Sequence, residues 1–368
     1  MSRPRPTRLV LAGLAAVLAL VALAGCLPSV GRPAVRQPAV APRVWDNSDP
    51  FVLVADGRNY LFGSTNNMTM PVREITSYTG SLTDSQSQWG RNPYNAMPTI
   101  PAWLNTDHPE IWAPSAIKIG TLYYVYFGGR RAGASDTNND QCIGRASSTT
   151  PMGPYRPEAT PLYCGLPAEA GSNPWGRGAL DPEVLRGADG NLYMVAAFSR
   201  TRDNIGAVKL ASNGRVIGGI NAVPAVLASQ KFPWQDGTDD RTLRPTFLEN
   251  PSMVYDPGTK TYLLFYSAGD WWTDRYVTGF ARCSTPVGPC AMDGRGPFLR
   301  AGAGRTGVGA LTAFRDAGGT LRVAYASWTA GYEGTSSSDG STSRHVSWSR
   351  LILSPTDNAS DQSVSLQE

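Results

Sequence analysis

A five-fold repeat of two short strands joined by a tight turn constrains the fold of this chain more than any other feature of its sequence. Each copy begins at an apolar run, passes through a turn that contains glycine and usually aspartate, and ends in a second apolar run. The copies start at Asp49, Trp112, Asp181, Glu249 and Gly309, at intervals of 60 to 69 residues. Recurrence at this period indicates an array of similar supersecondary units.

A second pair of similar segments supports the same phase. Residues 143–154 match residues 278–289, and each segment follows its marker by about 30 residues, where the third strand of a unit would lie. With 39 Gly, 29 Pro and no long stretch of helical periodicity, the chain is predicted to be all-β. Units of about 60 residues with about four strands predict a five-bladed β-propeller. We expect blade one to begin near Trp45 and residues 344–353 to complete the ring; a β-sandwich is the alternative.

The N-terminus predicts an exported protein. Three arginines precede an apolar run from Leu9 to Leu23 that is too short to span a bilayer comfortably. The run ends in Leu23-Ala-Gly-Cys26, which resembles the lipobox of bacterial lipoproteins. That resemblance implies cleavage after residue 25, acylation of the Cys26 sulfur and anchoring on the outer face of the cell membrane. An ordinary cleaved secretion signal is the alternative.

The sequence therefore divides into four predicted parts. Residues 1–25 are a lipoprotein signal peptide, residues 26–43 a flexible tether rich in Pro and Ala, residues 44–356 the propeller, and residues 357–368 a disordered tail. Loss of the signal lowers the formal net charge from +4 to +1, because it holds three Arg and no acid. This charge predicts neither nucleic acid nor an anionic membrane surface as a partner. We expect a monomer whose membrane contact is made through its lipid.

Beyond Cys26 the chain has four cysteines, an even number that predicts disulfides in an exported protein. We expect Cys142 to pair with Cys164 and Cys283 with Cys290, because each pair lies within one repeat unit. A zinc site is not expected, since the spacings do not match one and the chain has only two His.

Three of the five repeat markers are carboxylates, and a propeller would bring them together. The first strand of each blade lines the central axis, so residues at the start of these strands converge on one mouth of the channel. Asp49, Asp181 and Glu249 would then share one pocket. Carboxylates crowded in one cleft push each other's pKa values apart, which provides the acid and the base that hydrolysis of a glycosidic bond requires. Each Asp-Pro taken singly is also a common turn signal.

In their order and spacing, these segments resemble glycoside hydrolase family 43 over about residues 45–353. Ser48-Asp-Pro-Phe resembles the first-blade segment that carries the general base, and Glu110-Ile-Trp-Ala-Pro resembles the second blade. Leu180-Asp-Pro resembles the third-blade segment whose Asp raises the pKa of the acid and orients it. Leu248-Glu-Asn-Pro resembles the Glu-Gly-Pro segment that carries the general acid.

The resemblance implies an inverting glycosidase that acts on arabinofuranosyl, xylosyl or galactosyl linkages of a polysaccharide. In that case Asp49 is the base and Glu249 the acid, while the charge of Asp181 keeps the acid protonated. Aromatic rings bind the faces of sugars well, and we select Trp112, Trp271 and Trp272 as candidate substrate-binding residues.

Two positions depart from the family pattern. Asn250 stands where the family usually has Gly after the acid. Many members also carry a His in a Gly-His segment of blade five, where it helps to hold an axial calcium or water, whereas residues 307–311 contain no His. This argues against an axial calcium, and we expect no metal or other cofactor.

Two other functions remain open at this stage. A sugar-binding lipoprotein could keep the propeller and lack activity, as the missing His of blade five would allow. Related propeller families cleave fructans with retention and use the first Asp as nucleophile. They usually carry Arg before the third-blade Asp and Cys after the acid, and Leu180 and Asn250 occupy those positions here.

Overall fold

The computed structural model of the chain describes residues 44–45, 48–64, 69–76, 78, 94–105, 110–132, 141–165, 178–198, 204–236, 248–302, 304–335, 344–355 and 362–367. Within them the regular structure is β, apart from two short 3-10 helices, Gly219–Asn221 and Pro233–Asp236. No described residue lies in a helix of the length and apolarity needed to cross a membrane. The predicted signal peptide, Cys26 and the tether lie outside these ranges.

The described strands form five antiparallel sheets, each of which is one blade. In chain order they are β1 Val44–Trp45, β2 Ser48–Ala55, β3 Arg58–Ser64, β4 Pro71–Ile75, β5 Tyr94–Asn95, β6 Trp112–Ile119, β7 Leu122–Arg130, β8 Gln141–Ser148, β9 Arg156–Pro157, β10 Ala179–Arg186, β11 Leu192–Phe198, β12 Asn204–Leu210, β13 Ala225–Ser229, β14 Leu248–Asp256, β15 Thr261–Ala268, β16 Val277–Cys283, β17 Cys290–Met292, β18 Arg305–Arg315, β19 Leu321–Thr329, β20 His345–Pro355 and β21 Gln362–Gln367. Blades one to four are β2–β5, β6–β9, β10–β13 and β14–β17. Blade five is β18–β20 with β1 and β21. The predicted five-bladed propeller is confirmed.

The inner strands β2, β6, β10, β14 and β18 form a closed ring, because each contacts the next and β18 contacts β2. Hairpin turns lead from each inner strand to the second strand of its blade. Between β2 and β3 this turn is Asp56-Gly57, and both residues have positive φ, 51° and 74°. Such a two-residue turn matches the twist of the strands it joins and favours Asp-Gly. The aspartate-glycine turn in the repeat therefore has a conformational cause.

Each inner strand carries a bulge at the same place, and one residue in the bulge is left-handed. These residues are Asp49, Ala113, Asp181, Asn250 and Ala310, with φ between 43° and 52°. They define the end of the axis at which the inner strands begin, called the mouth below. The markers Trp112, Glu249 and Gly309 precede them by one residue. The left-handed residue is the equivalent position in all five blades, so the predicted markers of blades two, four and five are one residue too early. Glu249 is therefore equivalent to Ser48 of blade one and Leu180 of blade three, and not to the two aspartates.

Apolar side chains fill the space between successive blades. Phe62 of blade one and Phe127 of blade two are fully buried in one cluster. Val52 and Leu61 of blade one share another cluster with Trp348 of blade five, so the ring is also closed by hydrophobic contact. Burial of such side chains is the main stabilising term of the fold.

A repeated hydrogen bond also links neighbouring inner strands. The hydroxyl of Ser115 accepts from the backbone N–H of Val184 at 2.9 Å, and that of Ser252 accepts from Ala313 at 2.9 Å. At the equivalent position of blade three, the carboxyl of Glu183 accepts from the N–H of Met253 at 2.7 Å. Blade three thus places a buried carboxyl where two other blades place a serine.

The two predicted disulfides are present. Cys142 is joined to Cys164 within blade two, and Cys283 to Cys290 within blade four. The second pair lies at directly opposite positions of β16 and β17.

The ends of the described chain meet on blade five and correct two predictions. Val44 and Trp45 of β1 pair with Val346 and His345 of β20, so Trp45 belongs to blade five, and blade one begins at Ser48. The tail was expected to be disordered from residue 357. This is wrong for Gln362–Gln367, which form β21 and pair with Arg350–Pro355 of β20.

Candidate active site

The mouth of the propeller brings together the three carboxyl groups that the sequence singled out. Asp49 and Asp181 line one pocket on the axis. Glu249 lies close enough to Asp181 for its charge to act on the titration of that group, and so does Asp49. The three come from the starts of β2, β10 and β14, so the ring of inner strands is what positions them.

Asp181 is the most enclosed of the three groups. Its side chain is buried, and its Oδ2 accepts a hydrogen bond from the backbone N–H of Asn250 at 3.1 Å. Burial raises the pKa of Asp181 well above its ordinary value, and the negative charges of Glu249 and Asp49 raise this pKa further. The Asn250 N–H and the positive charge of Arg344 act in the opposite direction. Carboxyl groups coupled in this way titrate as a set and retain a proton to a higher pH than isolated ones.

Asp49 faces a cation that the sequence analysis missed. Nη1 of Arg344 lies 3.8 Å from Oδ1 of Asp49, and both side chains are about one tenth exposed. The guanidinium lies over the Trp271 ring at 5.0 Å and over the Trp328 ring at 5.9 Å. The guanidinium is thus held between two aromatic faces and the Asp49 carboxyl. The only signal in the sequence was the position of Arg344 at the start of the predicted closing strand.

Glu249 is held by a tyrosine that was also missed. The Tyr276 hydroxyl donates to Oε1 of Glu249 at 2.7 Å, and Nδ2 of Asn250 donates to the Tyr276 hydroxyl at 3.1 Å. Burial, followed by the charge of Glu249, raises the pKa of Tyr276 well above its ordinary value, so the phenol stays a neutral donor. Tyr276 lies just before the second repeated segment and resembles an ordinary strand residue in the sequence.

Comparison with known proteins decides the family. The model of the glycosyl hydrolases family 43 matches residues 43–346 of the chain. The chain belongs to family 43.

One curated relative is an extracellular endo-α-(1→5)-L-arabinanase of Thermotoga petrophila, 25% identical over 299 residues. The match covers 74% of this chain and 55% of the relative, so the chain spans about half the length of that protein.

Solved structures share the fold. A thermostable family-43 glycoside hydrolase has a TM-score of 0.65 and 20% identity, with 89% of this chain and 95% of that one covered. An α-L-arabinanase of Cellvibrio cellulosa in complex with arabinohexaose has a TM-score of 0.59 and 18% identity, with 88% and 95% covered. At these identities the likeness concerns the propeller alone.

The candidate sugar-binding tryptophans differ in how they relate to the family 43 site. Trp271 and Trp272 lie at a right angle to each other with ring centroids 5.5 Å apart, and the Trp271 ring stacks on Trp328 at 6.4 Å. Trp272 is 43% exposed. Because Trp271 contacts Arg344, this aromatic group stands beside Asp49. Trp112 lies at the mouth in blade two, under the guanidinium of Arg130 at 5.8 Å.

The axial pocket does not fit the calcium that many family 43 members hold. Its lining is mainly apolar: Pro50, Phe51, Ala113, Pro114, Pro182, Pro251, Ala310 and Leu311. Calcium takes about six to eight oxygen ligands, and the carboxyl of Glu183 in this lining already accepts the Met253 N–H. Among the described residues, no three His, Cys, Asp or Glu side chains are grouped as metal ligands. The absence of a metal remains a prediction.

Proposed function

We propose that this family 43 protein is an inverting glycosidase that cleaves arabinofuranosyl linkages of a polysaccharide. The observation that carries the proposal is the grouping of buried Asp181 and Glu249 with half-buried Asp49 at one mouth of the propeller, where the charges of Glu249 and Asp49 act on Asp181. The arabinanase relative from Thermotoga petrophila supports arabinofuranosyl as the first sugar to test. Xylosyl and galactosyl linkages follow as the next candidates.

Asp49 is the general base in this proposal. Its carboxylate can take a proton from the attacking water, and the guanidinium of Arg344 lies 3.8 Å away and holds it in position. Glu249 is the general acid and gives its proton to the oxygen of the leaving sugar. An inverting pair leaves room for the water, so we expect about 6.5–9.5 Å between the two carboxyl groups in the substrate complex.

Asp181 tunes the acid. Its charge opposes ionisation of Glu249, so the pair holds one proton where two separate carboxylates would hold none. In this proposal the shared proton is on Glu249 at the start of the reaction, because the leaving oxygen needs a donor, and the N–H of Asn250 stabilises the negative charge on Asp181.

The experiment is hydrolysis of arabinan oligosaccharides followed by NMR, which reads the anomeric configuration of the first product. We expect inversion by the wild type, no turnover by Asp49→Asn, and turnover by Glu249→Gln only of aryl glycosides whose phenol leaves without protonation. Retention of configuration would favour a nucleophilic Asp49, as in the fructan-cleaving propellers. Binding of arabinan without hydrolysis would support the non-catalytic alternative.

We also propose export and attachment to the outer face of the membrane through lipid on Cys26. The two disulfides support an oxidising location outside the cytosol. Replacing Cys26 by Ser should release the protein into the medium, measured by activity in the culture fluid. If the Cys26→Ser protein stays in the membrane fraction, the lipid is not the anchor.

A further inference from the structure

Asn250 makes a contact that the glycine usual at this place in family 43 cannot make. Its backbone is left-handed, with φ of 48°, a conformation that suits Gly and that Asn tolerates. Its backbone N–H donates to Asp181, and any residue other than proline could supply that bond. Its side chain adds a second bond, from Nδ2 to the Tyr276 hydroxyl at 3.1 Å. The substitution therefore adds a donor beside the proposed acid.

The packing of Tyr276 holds its hydroxyl in place. The residue is fully buried, and its ring fills the space next to Gly309, where an added Cβ would lie 2.1 Å from Cε1 of the ring. The hydroxyl donates to Glu249 at 2.7 Å, and Ser267 hydrogen-bonds with the same oxygen. The Tyr276 hydroxyl has a single proton to donate, and it donates that proton to the Glu249 carboxyl, while Nδ2 of Asn250 donates to the phenol oxygen.

We propose that Asn250 and Tyr276 act as a positioning relay that sets the orientation and the proton affinity of the Glu249 carboxyl. The inference rests on the proposed role of Glu249 as the acid. A donor to a carboxylate favours its charged form, and a donor to the phenol oxygen strengthens the phenol as a donor. The relay thus opposes the charge of Asp181 and makes Glu249 a stronger acid than its neighbours alone would allow.

The relay also connects the two sides of the carboxyl pair. Asn250 donates to Asp181 through its backbone and to Tyr276 through its side chain, so a single residue spans the distance between the tuning group and the acid. A glycine here would keep the first link and lose the second. Asn250 and Tyr276 are positioning residues, because they act through Glu249.

The test is a double-mutant cycle with Asn250→Gly, Tyr276→Phe and both together. Profiles of kcat/KM against pH are recorded on arabino-oligosaccharides and on aryl glycosides with phenols of different acidity. For Tyr276→Phe we expect the basic limb to move up by about half a pH unit or more, because Glu249 loses a donor that favours its charged form. We expect about a tenfold loss of kcat on oligosaccharides and a smaller loss on aryl glycosides with acidic phenols.

Asn250→Gly should shift the same limb in the same direction by a smaller amount. Added to Tyr276→Phe, it should change kcat by less than about twofold, since its effect passes through the missing hydroxyl. The relay would be overturned if Asn250→Gly changed kcat by the same factor in the wild type and in Tyr276→Phe. It would also be overturned if neither variant moved the basic limb of the kcat/KM profile.

A matched control separates the relay from a general effect of losing a buried hydroxyl. Tyr155 is also fully buried and donates to the carbonyl oxygen of Pro151 at 2.8 Å, beyond the end of β8 that pairs with the start of β7 and so lies far from the mouth. Tyr155→Phe should leave the pH profile unchanged. An NMR titration of the Glu249 carboxyl, in the wild type and in Tyr276→Phe, reads the same pKa without turnover. A wild type that hydrolyses none of these substrates rejects the proposed function, whereas an unshifted Glu249 pKa in Tyr276→Phe rejects the relay.

Discussion

Asp49 and Asp181 hold a backbone conformation that costs a residue with a Cβ atom about 1 kcal/mol. Ala113 and Ala310 adopt it as well, without a functional group on the side chain. The strain therefore belongs to the bulge of every inner strand. Blades one and three place an aspartate at this position and so present a carboxyl group to the mouth, whereas blades two and five place an alanine there.

The coupling between Asp181 and Glu249 leads to a prediction on pH. Asp181→Asn removes a negative charge beside Glu249, so the acid ionises more readily and its pKa falls. We expect the basic limb of kcat/KM to move to lower pH by about one unit. This is opposite in sign to the shift expected from Tyr276→Phe, and pH–rate profiles of the two variants measured side by side check both. An upward shift in Asp181→Asn would contradict the role given to its charge.

At the scale of the strands, Glu183 is a weak point of the inner ring. Burial raises its pKa to about 8, although its bonds to Met253 and Ser252 act against this. A carboxyl whose pKa is higher in the folded state stabilises the fold at low pH and loses that contribution as pH rises toward the folded value. The other blades with this link use a serine and carry no such dependence.

Replacing Glu183 by Gln keeps an acceptor for the Met253 N–H and removes the titration. We expect the two proteins to have similar stability at pH 4, below the ordinary pKa of a glutamate. At pH 8 the variant should be more stable by about 3 kcal/mol, after allowance for partial solvation. Urea unfolding at both pH values, with the disulfides intact, measures the difference. An equal stability difference at pH 4 and pH 8 would exclude titration of Glu183 as its cause.

The sequence repeat predicted the strands, the five blades and the mouth at which the carboxyl groups meet. It misplaced Glu249 by one position, because the carboxylates do not mark the phase of the repeat. In blades one to four the left-handed residue is the one directly before Pro50, Pro114, Pro182 and Pro251, and Glu249 lies one residue earlier. It also missed Arg344 and Tyr276. Arg344 of blade five contacts Asp49 of blade one, and Tyr276, which precedes the third strand of blade four, contacts Glu249 in the first strand of the same blade. The repeat aligns equivalent positions of different blades and carries no information on which side chains of non-equivalent positions meet.

At the scale of the whole molecule, the ring is closed on β20 by strands from both ends of the described chain. Leu366 of β21 is buried and pairs with Leu351 of β20, so the last strand adds to the apolar core of blade five. We expect Leu366→Ala to lower the free energy of unfolding by about 2–3 kcal/mol. The exposed neighbour Gln367, changed to Ala, is the control and should have little effect on urea unfolding. An unchanged stability of Leu366→Ala would mean that the end of the chain leaves the blade in solution.

The direction of β1 determines at which end of the axis the first described strand reaches blade one. Trp45 pairs with His345 and Val44 with Val346, one step further from the mouth, so the chain travels toward the mouth as it passes through β1. β1 therefore ends, and β2 begins, at the end of the axis where Asp49 lies. The closure of the ring and the presentation of the Asp49 carboxyl share one end of the propeller.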